Sequence, residues 1–201
     1  MPNWDEDSPQ LRHNLAQVLK DILSAVEKRE KPTLKTARAW HTLLMRGLNV
    51  PNPRSIGAFR GEPGLENIQV RIGQNYGVNS VAVAAELTRF EAKLQELVAE
   101  LDSLAPVGRE LNIDHLAAIV DLCAWAHAVW VRIHPFANGN GRIARLWANS
   151  LAVRYGLPPF VRLRPRPDAG YEKAAAQAMH GNWKPTAIVF RQLLNDLLSG
   201  A

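Results

Sequence analysis

The chain has 201 residues, with 24 Lys or Arg against 19 Asp or Glu, which gives a net charge of +5. This length is enough for one domain with a buried core, and the single cysteine, Cys123, excludes a disulfide within the chain and fits a reducing compartment. The basic residues are scattered, so the excess charge suits an anionic ligand and does not indicate a nucleic-acid partner.

Two segments bear on membranes and localisation. Residues 1–7 are acidic and lack an apolar core, which predicts no signal peptide and a cytoplasmic protein, although an exported effector would have the same features. The most apolar segment, residues 116–133, contains Asp121, His127 and Arg132. These polar side chains favour a central core helix over a membrane span, so no membrane partner is expected.

Apolar residues recur at helical spacing through most of the chain, which predicts an all-α fold. The first helix begins at Ser8-Pro9 and is ended by the charged run at 27–31 and Pro32. We expect residues 1–54 to form N-terminal helices that pack on a domain of residues 55–201, in one compact unit. The other helices are predicted from about residue 35 to 48, over 80–104, from Asn112 or Asp114 to Ile133, from Gly141 to Tyr155, over 171–179, and from about 183 to 198.

Residues 55–73 depart from helical spacing. Gly61-Glu62-Pro63-Gly64 has the composition of a turn, and Ile68, Val70 and Ile72 then alternate with polar residues. The pattern predicts a β-hairpin in an otherwise helical chain. A lone hairpin is marginally stable in water, so it must pack against the helices.

The segment from His134 to Arg145, His-Pro-Phe-Ala-Asn-Gly-Asn-Gly-Arg-Ile-Ala-Arg, concentrates chemically useful residues between two apolar helices. Gly139 and Gly141 allow backbone N–H groups to approach a ligand at the start of a helix, where an anion is favoured. Arg142 and Arg145 share one helical face and suit phosphate, and His134 can act as a general base near neutral pH. The set indicates transfer from a nucleotide phosphate to a hydroxyl group.

This segment resembles the signature of the Fic family, HPFx[D/E]GNGRxxR, at every fixed position except Asn138. The resemblance implies an all-α, Fic-type helical domain with a small β-hairpin flap. It also implies a protein adenylyltransferase, which moves AMP from ATP to a Ser, Thr or Tyr hydroxyl of a target protein. Some relatives transfer other phosphate-containing groups, so the motif indicates the chemistry better than the donor.

The resemblance also implies roles for most residues of the motif. His134 would accept the proton of the target hydroxyl, and Phe136 would anchor the loop. The nucleotide phosphates would bind at Gly139, Asn140 and Gly141, with Arg142 and Arg145 on the β- and γ-phosphates. The hairpin, including Val70, Arg71 and Ile72, is similar to the flap that aligns the backbone of the target.

Asn138 occupies the position where the family has a carboxylate that holds Mg²⁺. An amide oxygen coordinates this hard cation without the negative charge, so Mg²⁺ binding is expected to be weakened. Three alternatives are open: reduced activity with the metal held mainly by ATP and water, a donor other than ATP, or nucleotide binding with poor transfer. We favour the first, because His134 and both arginines are present.

Members of the family are often inhibited by a helix with the pattern [S/T]xxxE[G/N], whose glutamate pairs with the second motif arginine, here Arg145. The sequence has no clear match, which leaves either a separate inhibitory partner protein or another form of control. The main alternative to an enzyme is a catalytically weakened domain that binds a nucleotide or a partner. Metal hydrolysis is disfavoured, because His115 and His127 lack partners at ligand spacing.

Overall fold

In the computed structural model, helices account for most of the chain, and the expected all-α fold with a small hairpin is confirmed. The structure describes residues 8–25, 28–168 and 170–200. The segment from which the absence of a signal peptide was predicted, residues 1–7, lies outside them. The described helices are α1 (Pro9–Ala25), α2 (Leu34–Leu44), α3 (Ser80–Leu104), α4 (Ile113–Ile133), α5 (Asn140–Arg154), α6 (Tyr171–Met179) and α7 (Lys184–Ser199), and the strands are β1 (Arg71–Ile72) and β2 (Asn75–Tyr76).

Helix α4 is the centre of the fold and packs against α3, α5, α6 and α7. It begins at Asn112, whose side chain accepts a hydrogen bond from the backbone N–H of His115 in a reciprocal capping box. By length and composition α4 could cross a membrane, but most of its surface is buried inside the protein. It is therefore the core helix that the sequence indicated, with Trp130 fully buried within it.

The two N-terminal helices join the same hydrophobic core as the rest of the chain. Helix α1 packs on α2, and both contact α5. The buried side chain of Asn14 donates to the carbonyl oxygens of Leu44 at 2.9 Å and Arg46 at 2.7 Å, which fixes the end of α2 against α1. This packing places α2 beside the loop that precedes α5. The division at residue 54 stays a prediction.

The hairpin lies later in the chain than the sequence pattern indicated. Its strands pair Arg71 with Tyr76 and Ile72 with Asn75, so the turn is at residues 73–74. The turn predicted at 61–64 instead closes a local loop, in which the Gly61 N–H donates to the Leu65 carbonyl at 3.0 Å. The prediction was wrong about the turn because alternation along one strand does not identify the partner strand.

Candidate active site

His134 ends helix α4 in a left-handed backbone conformation, with φ 53° and ψ 55°. Its Nδ1 atom lies 3.0 Å from the carbonyl oxygen of Val131. A carbonyl can only accept, so Nδ1 carries the proton and Nε2 is left with a free lone pair. No partner bonds Nε2 among the described residues. The ring therefore presents an acceptor that can take a proton from an incoming hydroxyl group.

Burial lowers the pKa of His134 from 6.5 to about 4. The hydrogen bond to Val131 partly opposes this effect, and the nearby positive charge of Arg60 adds to it. The imidazole is therefore neutral at physiological pH. A neutral ring is the form that a general base requires.

The loop between α4 and α5 is closed by one side chain, that of Asn140. Its Oδ1 accepts from the Phe136 N–H at 2.8 Å, and its Nδ2 donates to the Phe136 carbonyl at 2.8 Å. Phe136 is fully buried and stacks on the ring of His41, with centroids 3.9 Å apart. The side chain of Asn140 thus holds the loop, and only its backbone N–H remains for an anion.

The predicted anion site lies at the start of α5. Gly139 precedes the helix with φ 78°, a left-handed conformation that favours glycine. A side chain at this position would also lie 2.9 Å from Met45. Asn140 and Gly141 are the first residues of α5, so their N–H groups have no carbonyl in the preceding turn to bond. These two N–H groups are the ones suited to a phosphate oxygen.

Both motif arginines are buried at the start of α5. Arg142 donates to Asn138 Oδ1 at 3.3 Å. Arg145 donates to the Tyr171 hydroxyl at 3.2 Å and to the Leu163 carbonyl at 3.1 Å. One guanidinium nitrogen of Arg145 lies close to the first turn, 3.4 Å from the place of a Cβ on Gly141. To bind a phosphate, the Arg145 guanidinium would therefore have to give up hydrogen bonds to Tyr171 or Leu163.

The position of Asn138 does not suit a metal ion. Its Oδ1 accepts hydrogen bonds from the N–H of Gly139 and from the Arg142 guanidinium. These bonds occupy the oxygen, and the positive charge of Arg142 lies next to it. Across residues 8–25, 28–168 and 170–200, no group of three or more His, Cys, Asp or Glu could hold a metal. The side chains present thus do not fit a protein-held Mg²⁺.

Val70, Arg71 and Ile72 lie in and beside β1. The N–H of Gly77 donates to the Val70 carbonyl at 3.1 Å, which extends the pairing at the base of the hairpin. Ile72 is half-buried, whereas the Arg71 side chain is exposed. The hairpin is therefore fixed at its base, at Gly77, close to His134.

Two buried groups near the motif were not predicted from the sequence. His41 on α2 accepts at Nδ1 from the Gly57 N–H at 2.9 Å, and its Nε2 lies 3.2 Å from the Asn138 carbonyl. His127 bonds the hydroxyl of Tyr171 at 2.7 Å, behind Arg145. Both histidines lie on apolar helix faces. A histidine on an apolar helix face was the sequence signal for these two residues. Histidines with a purely structural role usually lie in the same kind of position.

Arg60 is a further residue that sequence reasoning missed. It is 1% exposed, and its guanidinium bonds backbone carbonyls at the end of α4 and beside the hairpin. Its place just before the predicted turn at residues 61–64 gave no signal of burial, because arginine is usually exposed.

The sequence profile of the Fic/DOC family matches residues 31–152, which include α2, the hairpin and the whole motif. The protein adenylyltransferase Fic of Nematostella vectensis is 42% identical over 67 residues, which are 33% of this chain and 15% of the relative. The Drosophila melanogaster protein of the same name is 46% identical over 55 residues, 26% of this chain and 11% of the relative. The chain thus spans a small part of the length of these relatives.

Solved structures show the same fold at low sequence identity. A Fic-domain-containing signalling protein from Bacteroides thetaiotaomicron has a TM-score of 0.68 and 19% identity, over 94% of this chain and 69% of that one. The effector BepC from Bartonella tribocorum, solved with bound AMPPNP, has a TM-score of 0.59 and 18% identity, over 90% of this chain and 86% of that one. At 18–19% sequence identity, the similarity to these structures shows a shared fold and no more.

Proposed function

Because the chain belongs to the Fic/DOC family, we propose that it is a protein adenylyltransferase that moves AMP from ATP to a side-chain hydroxyl of a target protein. The observation that carries the proposal is His134, whose Nε2 is an unpartnered acceptor beside the N-terminus of α5. The names of the partial-length relatives and the AMPPNP bound to BepC support an ATP-like donor.

In the proposed reaction the target hydroxyl oxygen forms a bond to the α-phosphorus of ATP. The bond between this phosphorus and the oxygen that bridges to the β-phosphate breaks, and pyrophosphate leaves with the electron pair. The hydroxyl proton passes to Nε2 of His134. The N–H groups of Asn140 and Gly141, with Arg142, stabilise the phosphate charge in a fixed geometry.

The target is expected to be a protein with an accessible Ser, Thr or Tyr, aligned by the hairpin at Val70, Arg71 and Ile72. We place the reaction in the cytoplasm, of the producing cell or of a cell that receives the protein. The proposed steps use only protein groups, because the side chain of Asn138 is not suited to hold Mg²⁺.

A second candidate is a nucleotide- or partner-binding module that transfers poorly. Two observations favour it: the Asn138 oxygen is occupied by Gly139 and Arg142, and Arg145 is bonded to Tyr171. The two functions differ in one readout, because a module would bind ATP without labelling any protein.

The test is incubation of the purified chain with α-³²P-ATP and a divalent metal in cell lysate, beside His134→Ala and the control His13→Ala. His13 is an exposed residue of α1 and is not part of the motif. We expect labelled protein with wild type and the control, and a loss of about 10²–10⁴-fold with His134→Ala. ATP binding without label in any sample would support the binding module instead.

We also propose that a separate protein restrains the activity. Within the described part of the chain Arg145 bonds a hydroxyl and a carbonyl, and no carboxylate pairs with it. This proposal expects the isolated chain to be active as purified. An inactive chain that Tyr171→Phe activates would show that the restraint lies within the chain.

A further inference from the structure

Arg60 is a fully buried arginine that no acid neutralises in the part of the chain that the structure describes. Four backbone carbonyls accept from it instead. Its Nε donates to His134 at 2.8 Å, and its terminal nitrogens donate to Ile133 at 3.0 Å, Val78 at 2.7 Å and Ile68 at 3.1 Å. Burying a cation is energetically costly unless its hydrogen-bond donors are satisfied. The four hydrogen bonds of Arg60 therefore have to form at the same time.

These carbonyls belong to two different parts of the site. Ile133 and His134 are the end of α4, whereas Ile68 and Val78 flank the hairpin on either side. The backbone N–H of Arg60 also donates to the Pro135 carbonyl at 2.7 Å. One residue therefore connects the hairpin to the segment that carries the proposed base.

The hairpin and the base also touch directly at Gly77. A Cβ built on Gly77 would lie 2.7 Å from Cβ of His134 and 3.0 Å from a terminal nitrogen of Arg60. Only glycine allows this approach without displacing a neighbour. The separation between the hairpin and the base is thus fixed by contact at Gly77 and by hydrogen bonds at Arg60.

The geometry at His134 requires such support. A left-handed conformation is strained for a residue other than glycine, and the last carbonyls of α4 are unpaired within the helix. The Arg60 guanidinium satisfies two of these carbonyls and places a positive charge at the negative end of the helix. Lysine could not replace it, because an ammonium group lacks the planar fork that reaches several carbonyls at once.

We propose that Arg60 is the positioning residue that holds His134 in register with the hairpin, so that a hydroxyl aligned by the hairpin meets the base. The inference rests on the proposed function. In the proposed reaction Arg60 does not contact the reacting atoms. It acts on the rate by fixing the position of another side chain.

The experiment compares Arg60→Lys and Arg60→Met with wild type and with the matched control Arg154→Lys. Arg154 also donates to a carbonyl, that of Glu30 at 2.9 Å, and it pairs with Asp102 at 2.6 Å. It ends α5, about 20 Å along the helix from the first residue, Asn140. Transfer kinetics are measured together with amide hydrogen exchange of segments 68–78 and 133–136.

We expect both Arg60 variants to lower kcat by about 10²-fold, the loss that follows a ~1 Å displacement of a catalytic group, with KM for ATP nearly unchanged. Exchange should rise in both segments together, and Arg154→Lys should change neither kcat nor these segments. A kcat near wild type, or exchange that rises in one segment only, would overturn the proposal.

Gly77→Ala tests the same register with Arg60 intact, should the Arg60 variants fail to fold. The added methyl should push the hairpin from His134 and lower kcat with little change in KM, and an unchanged kcat would contradict the inference. If wild type labels no protein, the proposed function fails. The joint exchange of the two segments then still decides whether Arg60 connects them.

Discussion

The Nδ1 atom of His134 lies 3.0 Å from the carbonyl oxygen of Val131, three residues earlier in the same helix. This contact selects the tautomer with the proton on Nδ1 and leaves the lone pair on Nε2. A local helical bond thus decides which nitrogen can act as the base.

The lowered pKa of His134, about 4, predicts an unusual pH profile. A base with a pKa near 6.5 would lose activity as the pH falls through 6.5, whereas His134 stays deprotonated well below that value. We expect kcat/KM for transfer to be nearly flat from pH 8 to pH 5. ATP binding is measured separately at each pH, because a terminal phosphate itself titrates near pH 6. If kcat/KM still decreases near pH 6.5 after the pH dependence of ATP binding is taken into account, the His134 imidazole is solvated and the prediction is wrong.

Asn138→Asp is expected to strengthen the dependence of the reaction on divalent metal. A carboxylate supplies the charged oxygen that Mg²⁺ prefers, and the half-saturating Mg²⁺ concentration should fall by about tenfold, or ~1.4 kcal/mol of affinity. Initial transfer rates over a range of Mg²⁺ concentrations measure the effect. Asn138→Ala is the control, since it removes the bond to Arg142 without adding charge. Identical metal dependence in all three proteins would contradict this prediction.

Tyr171→Phe is expected to destabilise the fold by about 1–3 kcal/mol, because it leaves two buried groups without a partner. The hydroxyl accepts from Arg145 at 3.2 Å and bonds His127 at 2.7 Å. Urea unfolding gives the free energy. The control Tyr76→Phe, at a side chain 62% exposed on the hairpin, should change stability by less than ~0.5 kcal/mol. Equal effects of the two substitutions would show that the Tyr171 hydroxyl contributes nothing measurable.

The buried His41 and His127 and the half-buried His134 predict that acid destabilises the protein. Burial lowers the pKa of His41 and His134 to about 4 and that of His127 to about 3, from 6.5. The unfolded chain therefore binds more protons than the folded chain between pH 6.5 and 4. Stability is fully present above pH 6.5 and falls as the pH decreases through this window, by up to ~1.4 kcal/mol per pH unit for each histidine.

Urea unfolding at intervals from pH 7 to pH 5 measures this slope. The double substitution His127→Leu with Tyr171→Phe removes one titrating group together with its hydroxyl partner and should make the slope shallower. His13→Gln, at an exposed histidine, should leave the slope unchanged. A slope that neither substitution alters would assign the acid sensitivity to other groups.

The helices and the motif were predictable because their signals are local. Apolar spacing identified α4 as the core helix, and the residues from His134 to Arg145 follow one another in one loop and the first two turns of α5. The hairpin was predicted as an element but with the wrong turn. The carbonyls of Ile68 and Val78 are satisfied by Arg60, which leaves a shorter paired segment than the alternation suggested.

By itself, the sequence determined the fold class and the chemical groups of the proposed site. The tertiary structure decided how those groups are held. Arg60 reaches His134 across 74 positions of the chain, and His41 reaches Asn138 across 97. Neither contact produces a periodic pattern in the sequence. A hydrogen bond from a side chain to a distant carbonyl depends on where the backbones meet and not on the residue type of the acceptor.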